Sequence, residues 1–309
     1  MDSLITLGIG KMELDWSKSY LTRDFSAIFK DSDKSQLLCY YYDDYEDELK
    51  TTHIMGYSKK LSQIKRRLDL LGYSLSSIKE MYEEIIFNSY TLPNAIKLTF
   101  DDFYSIFYSL NINAIDATTE RFYYPDDYEF GEFARCLFTE NKSILDPVRD
   151  KLGIGNSEIP YDLINFIETL ENLDPFILLR IFVENPRNSD MVVYWICPES
   201  MMVDDLSFEV SETDKIMIVT EGTSDLNIIK RTIDSLYDDV SDLFMYIDME
   251  DNYPFTGTGN LKNFCIGLDR IRIQNNVIVI FDNDAAGCGS YNAIKGKCNN
   301  SNLLILDNM

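Results

Sequence analysis

Two segments in the last third of the chain carry the residues best suited to chemistry. One runs Ile216-Met217-Ile218-Val219-Thr220-Glu221-Gly222-Thr223-Ser224-Asp225; the other runs Val277-Ile278-Val279-Ile280-Phe281-Asp282-Asn283-Asp284-Ala285-Ala286-Gly287. Each is an apolar run of β type that stops in carboxylates and glycine. Carboxylates at strand ends place several hard oxygen donors along one edge of a sheet. Mg2+ or Mn2+ takes such ligands, and phosphoryl-transfer enzymes use such sites to polarise a phosphate and to orient a hydroxide nucleophile. The candidate metal ligands are Glu221, Asp225, Asp282 and Asp284, and the candidate catalytic group is Glu221, Asp282 and Asp284. Asp284 follows Asp282 by two positions, so the two share a face if the backbone stays extended. Asp225 has a second explanation, because a carboxylate that opens a helix is a good N-cap. Gly222 and Gly287 are expected to let the backbone turn sharply and approach a phosphate closely.

The elements around these residues alternate. Strands are expected at 216–220, 243–247, 276–281 and 303–306, with helices at 225–236, 260–269 and 286–297. Alternation of this kind implies a parallel sheet, whose ligands bind beyond the carboxyl ends of the strands. Glu221 and Asp282 stand at two of those ends, on the first and third strands of the series. Two further features have both a chemical and a plain explanation. Thr256-Gly257-Thr258-Gly259-Asn260 precedes the second helix, where backbone N–H groups could hold a phosphate. Lys295 and Lys297 could contact phosphate, or they form a solvated helix end beside Gly296.

Upstream, residues 4–10 and 11–16 read as a hairpin about Gly10, and 37–42 as a third strand followed by an acidic stretch from Asp43 to Glu48. From Ser58 to Phe87 the pattern becomes helical, with Leu61, Ile64, Leu68 and Leu71 at spacings of three and four and Gly72 as a C-cap. From about Thr99 to Glu184 it stays mostly helical. Phe103, Ile106, Phe107 and Leu110 form one stripe, and Phe133, Leu137, Ile144 and Val148 mark two shorter helices. Residues 161–169 are amphipathic, and 175–183 strongly apolar. Residues 121–128 are rich in turn formers. Aromatic stripes at helical spacing are read as core. A strand at 191–197 is closed by Pro198, and a linker runs to about Thr213. The resulting organisation is an α+β segment 1–95, a mainly helical region 96–212 with a terminal strand, and an α/β domain 213–309.

Composition narrows the function classes. The 309 residues are 45% hydrophobic and 13% aromatic, which supports packed cores rather than disorder. No apolar run reaches the ~18 residues of a membrane span. Met1-Asp2-Ser3-Leu4-Ile5 lacks the basic start of a leader, so a soluble cytoplasmic protein without membrane contact is expected. Cys39, Cys136, Cys197, Cys265, Cys288 and Cys298 are scattered without metal spacing, which argues for reduced thiols and against zinc. The net charge of −24 argues against a simple electrostatic nucleic-acid binder. It leaves a nuclease open, given a local basic patch, a bound cation or a basic partner subunit.

The placement of Glu221 and of Asp282/Asp284 resembles the Toprim domain, the catalytic domain shared by type IA and II topoisomerases, bacterial primases, recombination-mediator proteins and overcoming-lysogenization-defect nucleases. That family has a glutamate after the first strand and a DxD after the third, and Asp282-Asn283-Asp284-Ala285-Ala286-Gly287 is similar to its DxDxAG form. The likeness covers about 213–309. The chain stops at Met309, just after the fourth expected strand, where a typical Toprim unit has a further helix. The unit is therefore expected to be either minimal or a piece of a longer one. The N-terminal part is similar to the HEPN/Toprim N-terminal domain, on Ile9-Gly10-Lys11-Met12-Glu13-Leu14-Asp15-Trp16, Tyr40-Tyr41-Tyr42 and Leu68-Asp69-Leu70-Leu71-Gly72-Tyr73. HEPN ribonucleases carry an Arg-x4–6-His motif. The one histidine, His53, has no arginine at that spacing, so no such site is expected and His53 reads as a surface or strand-edge residue.

These resemblances imply a Mg2+- or Mn2+-dependent Toprim nuclease that hydrolyses nucleic-acid phosphodiesters, DNA ahead of RNA, in bacterial defence against phage or mobile elements. Glu221 serves as metal ligand or general base. The alternatives are a catalytically silent Toprim scaffold in an interaction or sensing complex, and a nucleotidyl or other phosphotransferase. A topoisomerase would need a separate tyrosine-bearing domain and more chain, and a primase a zinc module and a basic platform. A homo-oligomer or a basic partner subunit is the expected protein partner.

Overall fold

The structure is a computed structural model. It describes residues 4–10, 12–18, 24–43, 48–88, 98–114, 146, 149–151, 170, 172–196, 210–247, 257–297 and 301–305. The chain divides into two compact units, Met1–Phe208 and Glu209–Met309.

The first unit is built on an antiparallel sheet. Its strands are β1 (Leu4–Ile9), β2 (Met12–Lys18), β3 (Lys34–Asp43), β4 (Glu48–Lys60) and β5 (Val192–Ile196), in the order β2-β1-β5-β4-β3. The hairpin about Gly10 forms as the sequence predicts. β4 does not follow the sequence reading. Its residues pair with β3 one for one from Lys34↔Tyr57 to Asp43↔Glu48, over a stretch to which the sequence assigns no element, and it runs on to Lys60, past the Ser58 at which the helical pattern was expected to begin. Its sequence, ELKTTHIMGYSKK, carries charges at both ends and no apolar alternation strong enough to announce a strand. The cross-strand ladder and the burial of Tyr57 at its far end supply what the pattern lacks. His53 is exposed on this strand.

Four described helices share a core with the sheet: α1 (Leu61–Leu70), α2 (Leu75–Glu83), α3 (Phe100–Ser109) and α4 (Pro175–Phe182). In α1 the three–four spacing works as predicted, with Leu61, Ile64 and Leu68 fully buried. Arg67 is buried with them because its guanidinium donates to Ala27 O from both Nε (2.9 Å) and Nη2 (2.7 Å). α4 is buried along its whole length. Pro175 opens it, and the Asp174 carboxylate caps it by accepting from the Phe176 amide at 2.9 Å and from the Tyr73 hydroxyl at 2.6 Å. Its one charge, Arg180, is met by Asp69 and Glu184. α4 packs against α1, α2 and α3, and β5 lies between β1 and β4, so residues late in the unit share one core with residues at its start. The expected helices about Phe133, Leu137, Ile144 and Val148 and at 161–169, and the loop 121–128, fall outside the described residues, apart from short helical pieces at 146 and 149–151.

The second unit has a parallel sheet flanked by helices. Its elements run β6 (Ile216–Thr220), α5 (Thr223–Leu236), β7 (Phe244–Ile247), α6 (Thr258–Ile271), β8 (Val277–Phe281), α7 (Ala285–Ile294) and β9 (Ser301–Ile305). The strand order is β7-β6-β8-β9, and every neighbouring pair is parallel. Each predicted element is present within a few residues of its expected bounds. Val219, Leu261, Cys265, Val277, Val279 and Phe281 form the fully buried part of the core.

Candidate active site

β6 and β8 are buried runs at the centre of the parallel sheet, paired from Met217↔Val277 to Thr220↔Ile280. The chain leaves β6 for β7 on one side and returns to β8 on the other. The crevice between β6 and β8 is therefore the point where the strand order reverses, the usual ligand position in open α/β sheets. Glu221 leaves the end of β6 there, and Asp282 leaves the end of β8 beside it. The pairing register makes the ends of two runs widely separated in sequence into neighbours.

Glu221 joins the two ends directly. Its Oε1 accepts a hydrogen bond from the Asp282 backbone N–H at 3.1 Å, and its Oε2 accepts from the Thr258 hydroxyl at 2.8 Å. Asp282 is half-buried, and its carboxyl holds its proton to higher pH than usual. Desolvation is the largest cause, followed by the negative charges of Asp225 and Asp284. Asp225 and Asp284 thus act on the same small volume as Asp282. Asp284 also has a structural task as the N-cap of α7: its Oδ1 accepts from the amides of Ala286 at 2.9 Å and Gly287 at 2.7 Å.

Two sequence expectations change here. Asp225 is not the cap of its helix. Gly222 is the N-cap of α5, and Asp225 lies within the first turn. Capping therefore does not account for that carboxylate, whereas it does account in part for Asp284. The two glycines also differ. Gly222 is extended, at φ −138°, with open space where a side chain would sit, so its backbone makes no demand for glycine. Gly287 is required by close approach: a Cβ there would stand 2.1 Å from Asp282 O and 2.8 Å from Glu221 Oε1.

The segment about Gly257, whose amides could hold a phosphate, contributes a side chain to the site. Thr258, the first residue of α6, gives its hydroxyl to Glu221. A threonine at a helix start beyond a strand end was visible in the sequence, but its target was not. Lys295 lies over the Tyr291 ring, 5.3 Å from the centroid, and Lys297 is exposed just beyond α7. Cys288 Sγ donates to Asn283 Oδ1 at 3.4 Å, in the loop between the two aspartates.

The donor set is all carboxylate oxygen and repels itself at Asp282, which suits a hard divalent cation in type and charge. Among the described residues, no three His, Cys, Asp or Glu side chains form a ready metal cluster. Glu221 and Asp284 instead spend acceptor capacity on internal donors. In the first unit a shallow depression is lined by Tyr108, Ser109, Asn185, Pro186 and Arg187, but the Asn185 amide is committed to Tyr108 O and Leu110 O. No described helix is long and apolar enough to cross a membrane.

A family model, the HEPN/Toprim N-terminal domain 1, matches residues 1–198. The match extends beyond the 1–95 segment on which the N-terminal likeness was read, and it takes in β5. No curated protein matches the chain, and no solved structure matches it.

Proposed function

Because the chain belongs to the HEPN/Toprim N-terminal domain family, we propose that its second unit is a Toprim-like nuclease module, in which Glu221, Asp225, Asp282 and Asp284 act on nucleic-acid phosphodiesters with Mg2+ or Mn2+. The observation that carries this reading is the bond from the Asp282 amide to Glu221, which ties the ends of β6 and β8 into one acidic centre at the reversal of strand order. Such a cation, when bound, polarises the scissile phosphate and lowers the pKa of an attacking water. Asp282, Asp284, Asp225 and Glu221 are the residues that would hold it, since the repulsion of Asp225 and Asp284 on Asp282 is what a divalent charge relieves. Glu221, its orientation fixed by two donors, keeps lone pairs on both oxygens with which to take a proton from the attacking water. DNA is the proposed substrate ahead of RNA. The proposed setting, defence against phage or mobile elements, rests on the N-terminal likeness alone.

A silent scaffold role has its own support: Asp284 is engaged in capping α7, and both Glu221 oxygens are met from within. The two readings part in one experiment. The purified chain is incubated with single- and double-stranded DNA and RNA in Mg2+ or Mn2+, beside an Asp282→Ala, Asp284→Ala double variant. Cleavage by the native chain and a loss of about 100-fold or more in the variant is the expected result, the size typical for removing groups that stabilise transition-state charge. Equal cleavage by both sinks the site assignment, and cleavage by neither favours the scaffold.

A further inference from the structure

Glu221 is held from two elements, and only one of them belongs to the strand pair. The Asp282 amide reaches Oε1 from the end of β8, while the Thr258 hydroxyl reaches Oε2 from the start of α6, 37 residues away in sequence from Glu221. A glutamate side chain has three rotatable torsions, so a single bond to one oxygen leaves the carboxylate free to swing about it. A second donor on the other oxygen removes that freedom. The donor is a neutral hydroxyl, so it brings no positive charge to the acidic centre, as a lysine in the same place would. The approach also asks something of the backbone. Gly257, the N-cap of α6, takes φ +90°, a conformation that residues with a Cβ rarely adopt, and Thr258 follows it at the first helical position. Gly287 in turn leaves the space in which Glu221 sits, since a methyl group there would stand 2.8 Å from Oε1.

We infer that Thr258 is a positioning residue for Glu221: with the Gly257 turn it clamps the carboxylate against the Asp282 amide and sets the direction in which its remaining lone pairs face substrate and cation. The inference rests on the nuclease reading for its purpose, but the clamp itself is a property of the chain's own contacts. The Gly-Thr-Gly segment then serves a carboxylate through a side chain, and α6 becomes part of the site although it carries none of the site's acidic residues.

The test compares Thr258→Val, which keeps shape and removes the hydroxyl, with Thr258→Ser, which keeps the hydroxyl, in the full chain. Two readouts are independent of cleavage: backbone amide exchange at Asp282 and Val279 by NMR, and Mn2+ affinity from free Mn2+ counted by EPR. Thr258→Val is expected to speed exchange at Asp282 about tenfold and to weaken Mn2+ binding by a similar factor, the usual worth of one hydrogen bond to a charged group. Val279 should be unchanged, and Thr258→Ser should restore both readouts. Unchanged exchange at Asp282 overturns the inference. So does equal acceleration at Val279, which marks general loosening, and so, where the native chain binds Mn2+, does an unchanged affinity in Thr258→Val. A native chain that binds no Mn2+ and cleaves nothing, yet shows the Asp282 response, retires the nuclease reading and leaves the clamp standing.

Discussion

Asp282 illustrates how a residue can be costly to the fold and useful to a site. Burial, and then the charges of Asp225 and Asp284, raise its pKa above the ordinary 3.8. The sign follows from linkage. A carboxyl whose folded pKa is raised binds its proton more tightly in the folded state, so the fold loses stability as pH climbs through and above the ordinary value and the group is forced to ionise. Asp282→Asn removes that cost while leaving the backbone N–H that serves Glu221. Urea unfolding of both proteins without divalent cations, from about pH 3 to pH 7, should show the variant's advantage growing with pH. A pH-independent difference would contradict this account of the Asp282 environment. Asp284, by contrast, contributes to the fold as the cap of α7, a role worth about 1 kcal/mol in comparable helices.

The junctions between strands and helices are where the elements of the second unit are tuned. β8 ends at Phe281 and α7 begins at Ala285, so the turn must bring Gly287 against both the Asp282 carbonyl and Glu221. Gly287→Ala puts a methyl group into backbone that cannot yield as a flexible side chain would. It should cost about 1–3 kcal/mol, the usual penalty for overpacking, in calorimetric or denaturant unfolding. Gly222→Ala, at the equivalent junction after β6, meets open space and should change stability far less. Two glycines that look alike in the sequence are thus separated by one contact. In the first unit, the buried α4 shows the same dependence on neighbours: its one charge is tolerated because Asp69, on α1, and Glu184, just beyond α4, meet it.

At the scale of the molecule, the central position of β5 decides which stretch of chain can fold by itself. β1 and β4 each pair with β5, which stands between them, by way of Leu7↔Trp195 and Tyr57↔Trp195. Residues 1–95 alone would retain two separate hairpins, β1–β2 and β3–β4, each marginal in water. A 1–95 fragment should therefore lack a cooperative unfolding transition and a near-UV circular dichroism signal, whereas 1–208 should show both. The family match, which ends at residue 198, includes β5 and so is consistent with the longer fragment. The sequence by itself determined the alternating strands and helices of residues 216–305, because buried parallel strands are short continuous apolar runs and their helices carry periodic faces. It also determined that acidic residues stand at the ends of two such strands, since residue type and strand end are both local properties. It could not announce β4, whose polar sequence becomes a strand only through pairing with β3. Nor could it reveal that the first and third strands of the second unit are neighbours, that Asp284 rather than Asp225 caps a helix, or that Thr258 holds Glu221. Those are matters of strand order and of contact between residues far apart in the chain, and only the tertiary structure decides them.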